Sequence, residues 1–230
     1  PLNATNDDLS GVALSYNSTH RYPISISLSN GRQIKIIAED YDLLDSYHSG
    51  QAYTLDWREY FDLYRPGQHV ISARGVFALG TDNPELFRLG GTRETSVSAH
   101  PNSAAYAPTE RIFGQREYPL HGYPKGRSDF RGTHMLLSEI EWLFPIALIE
   151  RGLMAPPIGL HQTYGKFFYN WGETWNTNFN IPSLRGGAGA ELTADIILGY
   201  WLPVEINIGY ARGFNEGGEE QTYIELHTSF

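Results

Sequence analysis

The chain has 230 residues, a formal net charge of −9 and no cysteine, which is length enough for one or two domains. The acidic balance, spread along the chain, excludes the basic face that nucleic acid needs, and the absence of thiols excludes disulfides and thiolate metal sites. Nowhere does an apolar run approach the roughly 18 residues of a membrane helix. The start at Pro1, with no basic and apolar leader, reads as a fragment or a processed chain.

Alternation of period two dominates from the start. In 12–17, Val12, Leu14 and Tyr16 alternate with small or polar residues, and in 22–29 Tyr22, Ile24, Ile26 and Leu28 alternate with Pro23 and serines. Asn30-Gly31 then predicts a two-residue hairpin, since both positions tolerate positive φ. Three more strands follow at about 32–42, 53–63 and 69–79, the last two marked by Trp57 and Phe77 opposite Asp56 and Arg74. A long polar connection, 80–131, interrupts the pattern. After it come strands at 133–144, 160–172, 191–202, 204–213 and 222–230, about ten in all, with no convincing helix.

Alternation alone allows a soluble β-sandwich binding module, apolar inside, or a transmembrane antiparallel β-barrel, apolar outside. Three features favour the barrel. The strands run to about 9–13 residues, near the roughly 9–11 of a tilted membrane strand and above the 5–6 usual in soluble sheets. The polar face carries both charge signs, as in Asp56, Arg58 and Asp62. Connections alternate between short (29–32, 64–68, at 203) and long (42–51, 80–131, 174–187, 213–220), as in outer-membrane barrels. Two connections depart from this: a short one at 18–21, and a long turn from Pro145 to about Ile158.

The end of the chain, Tyr223-Ile224-Glu225-Leu226-His227-Thr228-Ser229-Phe230, resembles the terminal recognition signal of outer-membrane proteins, with Ile224, Leu226 and Phe230 as its apolar positions. In the middle, Leu120-His121-Gly122-Tyr123-Pro124, followed by Glu141-Trp142-Leu143-Phe144-Pro145 and Lys166-Phe167-Phe168-Tyr169-Asn170-Trp171-Gly172, resembles the bacterial surface antigen superfamily, the C-terminal barrel of BamA/TamA-type assembly factors. The similarity spans 87–230 by motif and 10–80 by strand pattern only.

That resemblance implies an outer-membrane location in a Gram-negative bacterium, and 1–230 as one barrel domain or the C-terminal part of a larger one. No POTRA domain, the periplasmic module usual in the family, is readable in this chain. It also implies non-enzymatic work in inserting or exporting outer-membrane proteins. The partners implied are outer-membrane lipids, client proteins or other assembly subunits, and a second copy of the chain. An alternative is a membrane anchor for a separate N-terminal domain.

In the family, the loop motif folds back into the barrel, and its arginine meets an acidic wall. Here that arginine is His121, the wall aspartate is Asn170, and the arginine of the next strand is Leu143. The paired change suggests that His121 bonds Asn170, Glu139 or Glu141 instead, and that docking of the loop is sensitive to pH.

No cofactor, metal or catalytic residue is expected. The eight histidines lack metal-ligand spacing. There is no Gly-x-Ser-x-Gly elbow, and neither Gly90-Gly91 nor Gly186-Gly187 precedes a helix. Glu139 and Glu141 share a face but read as lumen-lining carboxylates.

Overall fold

The structure is a computed structural model that describes residues 9–22, 25–44, 46–64, 68–92, 113–154, 156–176 and 184–228. Nine strands form one antiparallel sheet in chain order: β1 (Ser10–Asn17), β2 (Gly31–Asp40), β3 (Gln51–Asp62), β4 (Val70–Gly80), β8 (His134–Leu153), β9 (Ile158–Trp175), β10 (Arg185–Leu198), β11 (Leu202–Gly213) and β12 (Glu220–Thr228). Three short strands, β5 (Phe87–Leu89), β6 (Glu117–Tyr118) and β7 (Arg131–Gly132), make a second small sheet within the long connection. Among the described residues the fold is therefore all-β, without the two large packed sheets of a sandwich. Among the described residues the large sheet is not closed, and β1 and β12 are its edges.

The strand count corrects the sequence reading by one. The described residues of that stretch, 22 and 25–29, form no strand, and Asn30-Gly31 does not close a two-residue hairpin. Instead Asn30 bridges His20, and 25–29 fold inward. Ile26 and Leu28 are buried against Tyr60, Val70, Leu143 and Tyr164. Ser25 and Ser29 are buried too, their hydroxyls 2.7 Å apart. Over 25–29 both sets of the alternation are thus inside, so the period there reported burial without a ladder.

The second correction lies at Pro145. The expected long turn is absent: β8 continues to Leu153, and only 154–157 separates it from β9. β4 ends at Val70, opposite Leu143. Beyond that point β8 is an edge, where a proline's missing N–H deprives no neighbour. Register shifts after Pro145 and Leu148 absorb the irregularity. The connections at one end of the sheet are 63–69, 154–157 and 199–201, and those at the other 41–50, 81–133, 176–184 and 214–219; all of the second set but 214–219 are longer than any of the first. The 18–30 segment is the exception at the short end.

The polarity of the sheet is inverted relative to a soluble protein. Its outer face carries Leu14, Ile36, Leu55, Trp57, Phe77, Trp142, Phe167, Leu192 and Ile224, all among the exposed large apolar residues. Trp57 is 50% exposed and Ile224 69%. The largest apolar patch of a soluble monomer is roughly 300–600 Å²; this one runs across the whole sheet. The inner face carries charge instead. Arg74 grips Asp56 at 2.7 Å, Lys166 bridges Glu141 and Glu191 at 3.2 Å each, and Ser72 donates to Glu141 at 2.7 Å.

The apolar core lies under the sheet, in the long connection. Phe87, Leu89, Tyr118, Leu120, Tyr123 and Phe130 are buried with the wall residues Tyr41, Ala52, Val76, Ala78, Met135 and Leu137. Each large side chain so buried contributes roughly 1.5–3 kcal/mol relative to exposure in water. The described parts of the connection, 81–92 and 113–133, are held by that core and reach both edge strands of the sheet. Phe113 approaches Gly11 of β1, and Thr92 Oγ1 donates to Glu225 of β12 at 3.0 Å.

Candidate functional site: the docked loop

The motif 120–124 sits against the inner face of β9–β12. Leu120 is fully buried and bridges Gly91, anchoring the motif to the strand-like start of the same loop. The Tyr123 carbonyl accepts from the Gly91 N–H at 2.8 Å, and the Tyr123 hydroxyl donates to the Gly186 carbonyl at 2.8 Å. Gly122 donates to Gln221 Oε1 at 3.1 Å, and its carbonyl accepts from the Glu219 N–H at 2.8 Å. Pro124 follows on the rim, its carbonyl close against Gly90.

Contact here is backbone on backbone. Gly122 has φ +83°, and a Cβ there would lie 2.2 Å from the Gly213 nitrogen. A Cβ on Gly187 would lie 2.2 Å from the His121 carbonyl oxygen. These glycines serve close approach, which side chains would prevent.

His121 is 7% exposed. With its amide oxygen turned toward the motif, Asn170 accepts from the His121 backbone N–H (2.9 Å) and from Nδ1 (2.8 Å), and donates to the Gly187 carbonyl (3.2 Å). Phe168 packs on the ring with centroids 4.5 Å apart. Glu139 Oε1 lies 3.9 Å from Nδ1, beyond a hydrogen bond. Glu141 turns away to Ser72 and Lys166. The structure therefore brings His121 to Asn170, sets Glu139 just outside, and directs Glu141 elsewhere. Burial, together with the charge of Lys166, pushes the His121 imidazole down to about 4, against the pull of Glu141 and Glu225. At neutral pH it is an uncharged peg.

Ile224 and Leu226 lie on the outer face of β12, both exposed. Phe230 lies outside the described residues.

Sequence reasoning missed Arg116. It is 3% exposed and forms an ion pair with the equally buried Glu39 of β2, with the Tyr41 hydroxyl as second partner. The guanidinium also lies 5.0 Å from the Phe87 ring centroid and 5.8 Å from that of Tyr41. Burial works against its charge, but Glu39 and Tyr41 outweigh this and hold its pKa above the ordinary value. Glu39 also accepts from the Gly114 N–H. A buried arginine thus does enter the interior, but from position 116 and onto the opposite wall. A lone charge in a polar loop carries no periodicity, so nothing in the sequence singled it out.

A third contact closes the upper rim: Arg185 of β10 grips Glu173 of β9 at 2.7 Å and lies over the Phe130 ring at 4.5 Å. The site is a wedge held on two walls, with charge-assisted bonds on β2 and neutral, backbone-rich contact on β9–β12. Among the described residues no cluster of acidic residues and histidines suits a metal ion. No helix there is long and apolar enough to cross a membrane, which says nothing of crossing by strands. Compared with protein-family models and with curated proteins, the chain gives no match.

Proposed function

We propose that this chain is the barrel-forming part of an outer-membrane protein of the surface antigen superfamily, with its interior occupied by its own long loop. The observation that carries the reading is the inverted polarity of the sheet: an apolar outer face, a charged inner face, and a loop docked inside. Lipid suits the outer face, and an aqueous lumen suits the ion pairs. Exposed aromatic residues stand toward both ends, Tyr64, Tyr200 and Trp201 at one and Tyr47 and Phe214 at the other, as interfacial belts do.

The free edges cannot stand in hydrocarbon, where every N–H and C=O needs a partner. In this reading they are paired in the membrane by further strands, of a longer chain or of another subunit. The work is non-enzymatic: insertion or export of outer-membrane proteins, in which client strands add by main-chain hydrogen bonding. The docked motif at 120–124 and the order of the motifs after it support the superfamily assignment.

Refolding of the chain with and without detergent, with mass from light scattering, tests this. Folded, monodisperse protein is expected only in detergent, and its mass gives the number of chains that share a barrel. A folded monomer in plain buffer would contradict the membrane assignment.

A further inference from the structure

We infer that the segment 113–133 is a one-sided hinged plug, which acid releases from the β9–β12 wall at 120–124 while Arg116 keeps it tethered to β2. This rests on the reading of the sheet as a barrel wall around that loop. The two attachments differ in chemistry. On the β2 side, Arg116, Glu39 and Tyr41 form a buried charge-assisted group, and arginine does not lose its proton in proteins.

On the other side, the only titratable group of the motif that enters the wall between pH 4 and 7 is His121. It reaches Asn170 as a neutral ring, packed between Phe168 at 4.5 Å and Tyr223 at 6.0 Å. The charged groups around it are Glu139 and Glu141 on β8, Lys166 on β9, Glu191 on β10 and Glu225 on β12. Lys166 opposes a second positive charge there, and neither Glu139 nor Glu141 hydrogen-bonds the ring. A protonated His121 is therefore better placed in water than docked. The other contacts of 120–124 on this side, the hydrogen bonds of Gly122 and Tyr123 and the close glycine approach, involve no group that titrates between pH 4 and 7; elsewhere the loop meets this wall through Thr92 on Glu225 and Asp129 near Arg185.

The direction follows from proton linkage. The docked ring binds a proton near pH 4, and the released ring near its ordinary 6.5. Release takes up a proton, so docking is at full strength above about pH 6.5 and weakens as pH falls toward 4. Between pH 7 and pH 5 the docking constant drops about 20-fold.

Hydrogen exchange of the full chain in detergent, corrected for intrinsic rates, reads both walls at once. Opening of 120–123 is expected to rise about 20-fold from pH 7 to pH 5, while 115–118 changes little. His121→Phe keeps an aromatic ring and is expected to abolish the difference. Should that variant not fold, ring-proton titration of His121 in the native chain gives the same answer, with half-protonation expected near 4. Release of both segments together, or equal protection of 120–123 at both pH values, would overturn the hinge. Neither outcome touches the membrane reading, which is decided by the need for detergent.

Discussion

Arg116→Ala is expected to lower stability by about 3–5 kcal/mol, because it strands the Glu39 carboxylate in a buried site. Glu39 is 3% exposed and loses its guanidinium partner, and the Tyr41 hydroxyl loses a donor. Denaturant unfolding in detergent, followed by tryptophan fluorescence, gives the number. The paired replacement Arg116→Met with Glu39→Leu is expected to recover most of the loss, since removing both charges leaves nothing unpaired. A single variant that unfolds like the parent, within about 0.5 kcal/mol, would show that Arg116 does not hold the loop.

Gly122→Ala is the second large effect, and Gly126→Ala is its control. Both glycines have left-handed backbones, φ +83° and +88°. At 126 nothing lies within 4 Å of a new Cβ; at 122 it would lie 2.2 Å from the Gly213 nitrogen and 2.5 Å from the Arg212 carbonyl carbon. Gly126→Ala is therefore expected to cost only the backbone strain, about 1–2 kcal/mol. Gly122→Ala adds a clash with main chain that cannot rotate away, and undocks 120–124 from the wall. Limited proteolysis compares the two: new cleavage near 120–124 is expected only in Gly122→Ala. Equal resistance of both variants would mean that the loop does not sit against β11.

The strands of the sheet were legible because their two faces differ so strongly. In β3, Tyr53, Leu55, Trp57 and Phe61 are exposed while Ala52, Thr54 and Tyr60 are buried and Asp56 lies in an ion pair. That contrast survives in sequence as strict alternation. It misled at 22–29, where the serines and the apolar residues between them are both buried, and at Pro145, where the end of β4 left an edge that tolerates proline.

The loop was least legible. Phe87, Leu89, Tyr118 and Leu120 make a core across stretches with no shared period, and their burial depends on a wall made by distant strands. Within it, the closeness of His121 to Asn170 could be anticipated, because both differ together from the pattern of the superfamily that the sequence resembles. Arg116 differs from nothing and repeats nothing.

Tryptophan depth in lipid tests the central claim most directly. With the chain refolded into vesicles, single-tryptophan variants keeping Trp57, Trp142 or Trp201 would be quenched by lipids brominated at graded acyl positions. Trp57 and Trp142 lie on the outer face within the strands, and Trp201 at the short-turn end. Strong quenching of Trp57 and Trp142 by bromine deep in the acyl chains, with Trp201 quenched only near the headgroups, is the expected result. Trp57 and Trp142 left unquenched at every depth would place the apolar face out of lipid and contradict the account.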